Sequence, residues 1–257
     1  MRTVLATRYV VPLREGGSLP AVVEADDEGL YVLKFRGAGQ GPKALVAEWI
    51  AGELARALGL PVPEIVAMEL HDELALAEPD SEIQDLMRAS LGINLGMDYL
   101  PRAIGFDPAV DRPEPALASA IVWFDAFTTN VDRTARNTNM LVWHRELKLI
   151  DHGAPLYFHH DWEHAGERAL GRFPQVQDHV LLPLATRLAE VDDRLSGLVT
   201  RALLESIVEA LPDDWLQDPY FNDADGNREA YVNHLLRRLA GRAGFVSEAI
   251  DAHAGRL

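Results

Sequence analysis

Along the chain the spacing of apolar residues changes character once. Residues 3–13, 20–25 and 30–35 (TVLATRYVVPL, PAVVEA and LYVLKF) are short apolar or alternating runs, separated by the turn formers EGGS and DDEG. They predict strands of a small antiparallel sheet. GPKALVAEWIAGELARALGLP follows, rich in helix formers, with Pro42 at a first helical position and Gly59 with Pro61 as a stop. That predicts a single helix. Strand character resumes in EIVAMEL (64–70) and INLGMDYL (93–100), around a helical or irregular insertion, EIQDLMRAS. From Pro115 onward helical patterns dominate: LASAIVWFDAFTTN, DHVLLPLATRLAEV, LVTRALLESIVEAL and REAYVNHLLRRLAGRAG. Strands first and helices later, with one helix set among the strands, predict an α+β chain in two lobes. Proline, glycine and charge cluster in PRAIGFDPAVDRP, which places the boundary there and divides the chain into lobes 1–105 and 106–257.

The totals narrow the function classes. At 257 residues, 48% hydrophobic and 25% charged, the chain has material for a folded core. Forty acidic residues against 24 basic ones leave a formal charge of −16, which argues against a broad hold on nucleic acid or anionic membrane. With no cysteine there is no disulfide framework and no thiolate chemistry. The opening MRTVLATRYVVPL reads as a strand rather than a signal peptide, and no apolar stretch approaches the roughly 18 residues of a membrane span. A soluble, cytoplasmic protein is expected.

Candidate chemistry concentrates in NVDRTARNTNML, residues 130–141, followed by LVW, a turn and KLIDHG. MLVW and KLI predict a hairpin, whose closed geometry brings Asn137, before the first strand, toward Asp151, after the second. Two oxygen donors facing one point suit Mg²⁺. Asp132, on the same loop, could accept the proton of an attacking hydroxyl, a layout proper to phosphoryl transfer. Aspartate and asparagine are also ordinary loop formers, so the pair alone is weak and the flanking strands carry it.

The amino-terminal half adds independent signals. Lys34 alternates with Val32 and so emerges from an apolar strand face. In the following helix Glu48 shares a stripe with Leu45, Ala51, Gly52 and Ala55, whereas Glu53 has Arg56 three residues on and reads as a surface pair. Glu48 is therefore the better partner for Lys34. Gly16, Gly17 and Ser18 form a turn whose amides could hold phosphate oxygens. Asp125, inside an apolar helix, is expected to hydrogen-bond the backbone of the 130–141 loop. HHDWEH (159–164) lacks the supporting ligands of a zinc site. FNDADGNREAYV (221–232) places Phe221 and Val232 at the positions where a calcium loop needs oxygen ligands, so it reads as a turn and helix cap.

In order, the turn GGS, the lysine of VLKF, the glutamate of AEWIAGELARALGLPVPE, the loop NVDRTARN and the aspartate of LIDHG resemble the protein kinase-like superfamily, and most closely the HipA-like kinases. The resemblance spans residues 16–153. It implies a kinase fold binding ATP and Mg²⁺, with Lys34 on the α/β-phosphates, Glu48 as its ion-pair partner, Asp132 as base, and Asn137 and Asp151 as metal ligands. It places Arg136 near the transferred phosphate, the Gly16, Gly17 and Ser18 turn over the nucleotide, and Asp98, Tyr99 and Leu100 at the adenine through backbone groups. Val131, Asn130 and His152 depart from eukaryotic protein kinases and lean toward HipA and phosphatidylinositol kinases; Thr134 stands where a lysine is common. The implied acceptor is a serine or threonine hydroxyl of a protein or of the chain itself, and the resemblance leaves room for an antitoxin-like partner. A small-molecule phosphotransferase of the aminoglycoside type, or a non-catalytic nucleotide-binding toxin-like module, stays open on the same residues.

Overall fold

A computed structural model of the chain describes residues 1–13, 19–39 and 41–255. The strands β1 (Thr3–Pro12), β2 (Ala21–Ala25) and β3 (Leu30–Lys34) precede helix α1 (Pro42–Ala57) and strand β4 (Ile65–Leu70). Two short helices, α2 (Asp72–Ala77) and α3 (Ser81–Ala89), lead to β5 (Gly92–Asp98). The five strands do not make the small antiparallel sheet expected. They close into a barrel in the order β1-β2-β3-β5-β4, sealed by a parallel pairing of β1 with β4. Closure is possible because β1 is long and irregular: its pairing with β2 shifts register between Ala6 and Arg8 and again between Tyr9 and Val11, and such irregularities bend a strand.

Small residues then let the barrel interior close. Ala6, Ala21, Ala25 and Val23 share it with Tyr31, Leu33, Val66 and Met68. At Gly96 in β5 a Cβ would stand 2.9 Å from Val66 Cγ2, closer than side chains tolerate. The opposite face of β3 and β5 looks toward α1, and Gly52 in that helix lies so near Ile65 Cδ1 that a Cβ would collide with it.

After β6 (Ile104–Gly105) the chain forms α4 (Pro115–Thr128) and the expected hairpin of β7 (Met140–Trp143) and β8 (Glu146–Leu149), to which β6 adds a third strand. The two hairpin turn residues, His144 and Arg145, both take positive φ (49° and 66°), the mirror-image turn that matches strand twist, here without its usual Asn-Gly sequence. The rest is helical: α5 (Ala165–Arg168), α6 (Leu188–Ser196), α7 (Arg201–Glu209), α8 (Ala224–Ala240) and α9 (Ala243–Ala254). DHVLLPLATRLAEV is not one helix. Pro183 lies in a 3-10 turn, Leu182–Leu184, and α6 begins only at Leu188. Asp223 caps α8 by accepting from the Gly226 amide at 2.8 Å, so the FNDADG stretch is the turn and cap expected.

Arg238 of α8 shows what the helical core requires. It is 1% exposed and pairs with no carboxylate among the described residues; its guanidinium donates to the carbonyls of Phe127 (2.9 Å), Ala126 (2.7 Å), Gly171 (2.8 Å) and Ala169 (3.3 Å). It thereby satisfies the carboxyl-terminal carbonyls of α4, which otherwise have no intrahelical donor. Burial lowers its pKa to about 10, still a charged group at neutral pH.

Candidate active site

Lys34 closes β3 on the face turned to α1. Its Nζ lies 2.6 Å from Glu48 Oε2 and 2.7 Å from Asp151 Oδ1, so three elements distant in sequence meet at one ammonium. Burial alone would lower the Lys34 pKa; the charges of Glu48 and Asp151 outweigh it and hold the group above its ordinary value. Glu48 is fully buried, and burial alone would raise its carboxyl, but the Lys34 charge prevails and holds it at about 2. Glu53, by contrast, pairs with Arg56 at 2.7 Å near the surface.

One edge of this array is unsatisfied. Glu48 Oε1 stands 3.8 Å from His152 Nδ1, too far for a hydrogen bond, and among the described residues that oxygen and both ring nitrogens of the fully buried His152 have no partner. Asp151 adopts a left-handed backbone, φ 57°, and leaves about half of its side chain (51%) in solvent.

The loop before the hairpin is held from below. α4 is capped by Thr129 with φ 58°, and the Asn130 amide donates to the Asp125 carbonyl at 2.8 Å. Asn130 bridges the turn: its Nδ2 donates to Asp125 Oδ1 (2.9 Å) and its Oδ1 accepts from the Asp132 amide (3.1 Å). The Asp125 carboxylate therefore binds side chains, not the loop backbone that the sequence reading expected. Its Oδ2 accepts from Arg133 Nε at 2.6 Å and lies 2.9 Å from His179 Nε2. The reason is electrostatic: a fully buried carboxylate stays charged only beside a cation, and although burial would raise its pKa, Arg133 and its hydrogen bonds hold it below the usual range. His179 Nδ1 accepts from the Leu181 amide at 3.0 Å, which places the ring proton on Nε2. Neither Arg133 nor His179 carries a local sequence signal, because their contacts with Asp125 span 8 and 54 residues.

Asp132 Oδ2 accepts from Asn137 Nδ2 at 2.8 Å and from a second asparagine, Asn139 Nδ2, at 3.0 Å. Asn139 was missed by counting from the aspartate. Counting from the strand finds it, since it immediately precedes MLVW. The hairpin pairs Met140 with Leu149, and the Asn139 carbonyl accepts from the Ile150 amide at 3.0 Å, so Asn139 stands one residue from Asp151 across the hairpin. It is 8% exposed, whereas Asn137 is exposed. Arg136 is exposed and pairs with no side chain among the described residues.

At the other expected contact, two of the three amides are already used. Asp98 N donates to Glu64 O and Tyr99 N to Leu30 O, each at 2.9 Å, so neither is available to a ligand. The Leu100 amide makes no backbone hydrogen bond among the described residues, while its carbonyl accepts from Ala103 N at 3.2 Å. Burial, with the nearby Glu64 charge, raises the Asp98 carboxyl. Gly16, Gly17 and Ser18 lie outside the described residues.

The family model for HipA-like kinases matches residues 8–245. The chain belongs to the HipA-like kinase family. Its structure is similar to the crystal structure of the Helicobacter pylori proinflammatory kinase CtkA, with TM-score 0.55 and 13% identity over 93% of this chain and 95% of that one. At that identity the likeness concerns the fold. No curated protein matches the sequence. Among the described residues, no helix is long and apolar enough to cross a membrane.

Proposed function

We propose that this HipA-like kinase transfers the γ-phosphoryl group of ATP to a serine or threonine hydroxyl of a protein or of itself, between lobes formed by residues 1–105 and 106–257. One observation carries the reading: Lys34, Glu48 and Asp151 converge within hydrogen-bond distance beside a loop in which Asp132 is fixed by two asparagine amides. Lys34 binds the α/β-phosphates, exchanging its contact with Asp151 for them, while Glu48 keeps the ammonium oriented. The Leu100 amide and the Asp98 carbonyl serve the adenine edge. Asp132 has Oδ2 occupied and Oδ1 without a partner among the described residues, so Oδ1 receives the acceptor proton.

The donor set also fits a divalent ion. Asp151, half exposed and aimed at Lys34, and the amide oxygens of Asn137 and Asn139 are hard oxygen donors of the kind Mg²⁺ takes, and we assign Asp151 with one or both asparagines to it. Bound there, the ion would neutralise phosphate charge during transfer.

Incubation with Mg·ATP followed by mass spectrometry of the intact protein tests the reading. A gain of one phosphoryl group that Asp132→Asn abolishes, with Mg·ATP affinity kept, is expected; Asp151→Asn should lose the magnesium-dependent part of the affinity as well. Turnover of small alcohols with no phosphorylated residue would move the reading to a small-molecule phosphotransferase. ATP affinity unaffected by Lys34→Ala would overturn nucleotide binding at this site.

A further inference from the structure

A cavity of about 360 Å³ opens where the first turn of α1, the segment after Asp151, and residues 214–231 meet. Lys43 pins this junction: its Nζ donates to the His159 carbonyl at 2.5 Å and stands 2.7 Å from Asp218 Oδ2, which also accepts from Trp162 Nε1 at 3.2 Å. The Lys43 charge is thereby matched by Asp218. The neighbouring histidines add none. His159 Nδ1 lies 3.0 Å from the Tyr231 hydroxyl, and its Nε2 lies 3.2 Å from His160 Nε2. Burial lowers both imidazoles most, followed by His160 and then Lys43 for His159 and by Lys43 for His160, against a smaller opposing effect of Asp218, so both are neutral at pH 7.

The groups left over are acceptors. Asn227 lines the cavity at 3% exposure; its Nδ2 donates to Leu216 O at 3.2 Å, and its Oδ1 has no partner among the described residues. A buried carbonyl in that condition carries a desolvation cost that a ligand's donor would remove, and because this oxygen has almost no accessible surface the cavity wall must give for a donor to reach it. Asp214 stands at the rim, its side chain 79% exposed, with only a long 3.4 Å ion pair to Arg36. Trp215, whose Nε1 is fixed on the Ile93 carbonyl at 3.0 Å, gives an aromatic wall against which a cation can lie. An anion would meet two carboxylates here and no unmatched cation. No group of histidines and acids among the described residues could hold a metal ion.

We propose that this cavity binds a cationic ligand rich in hydrogen-bond donors, a guanidinium on an aliphatic arm, with donors on Asn227 Oδ1 and its charge against Asp214. The formal charge of −16 raises the local concentration of such ligands. Two sources share this chemistry, a free small molecule and an arginine side chain of another protein.

Calorimetric titration of the whole chain without nucleotide separates them, using agmatine and a blocked Gly-Arg-Gly peptide, with the citrulline peptide as neutral control. Agmatine should bind with a dissociation constant of about 1 mM or tighter, and Asp214→Asn should weaken it about tenfold. Equal or tighter binding of the arginine peptide assigns a protein side chain, and binding of agmatine alone assigns a free ligand. Asn227→Leu should also weaken binding, checked against its melting temperature because the site is buried; Asp214→Asn, at the surface, keeps the test decisive if that variant unfolds. Binding of neither probe, equal binding of the citrulline peptide, or agmatine affinity unchanged in Asp214→Asn overturns the proposal. Since no nucleotide is present, the outcome is independent of phosphoryl transfer.

Discussion

Two apolar cores hold the described residues, and comparing them shows which core supports each part of the candidate site. The barrel core is small and built from alanine, valine and a few larger side chains on β1 to β4, closed over by Met87 of α3. The second core is far larger and runs through the helices. Helix α1 belongs to the second one, although its sequence lies among the strands. Leu45, Trp49, Ile50 and Leu54 share that core with Ile121, Phe124 and Phe127 of α4 and Ile207 of α7. Trp49 Nε1 further donates to the Ile207 carbonyl at 2.9 Å. Glu48 therefore rides with the helical core and Lys34 with the barrel, and their ion pair lies on the seam. A helix so anchored cannot swing away without opening buried surface, which keeps the pair assembled.

The strongest way to break the comparison is to damage the larger core alone. Arg238→Ala leaves the carbonyls of Ala126, Phe127, Ala169 and Gly171 without their donor and opens a void. It should cost about 4 kcal/mol, read as a drop in the denaturation midpoint at unchanged m. Next in size, Leu54→Ala and Leu33→Ala remove fully buried side chains from the helical and barrel cores respectively, each at about 3 kcal/mol. Hydrogen exchange should place them differently: Leu54→Ala lowers protection in α1 and α4, and Leu33→Ala in β1 to β3. Identical patterns would mean the two cores unfold as one.

The seam itself has a pH signature. Glu48 is depressed from 4.5 to about 2 in the folded protein, so its contribution is complete above pH 4.5 and is lost as the pH falls through 2. In that window wild-type stability should fall by at most about 1.4 kcal/mol per pH unit through this group, and Glu48→Gln should flatten the slope. An unchanged acid slope in Glu48→Gln would show that the carboxylate is not charged in the native state. Smallest of all, Glu53→Ala, on the same helix but paired with Arg56 near the surface, should change stability by no more than about 0.5 kcal/mol and leave ATP affinity unaltered.

How much of this could be read from the chain depends on the range of the interaction involved. Local patterns were enough for β1 to β5, α1, the hairpin around the LVW and KLI runs, and the Asp223 cap, because alternation, helix periodicity and capping are settled within a few residues; the two-residue β6, inside the stretch read as a lobe boundary, carried no such pattern. The same locality explains the errors at DHVLLPLATRLAEV, where apolar density masked the break at Pro183, and at α9, which was not recognised.

The residue order was legible without the fold: Lys34, Glu48, Asp132, Asn137 and Asp151 follow one another as the resemblance to HipA-like kinases implies, and the buried stripe of α1 already separated Glu48 from Glu53. How the barrel closes was not legible in the chain, since the parallel pairing of Thr3 with Ala67 joins residues that no local pattern connects. The fold alone set Asn139 beside Asp151 through hairpin register, committed the Asp98 amide to Glu64 and the Tyr99 amide to β3, and gave Asp125 its charge partner in Arg133. The physical reason is common to all of these. A buried charge or amide is satisfied by whatever group the fold delivers to it, and that delivery is fixed by packing over the whole chain.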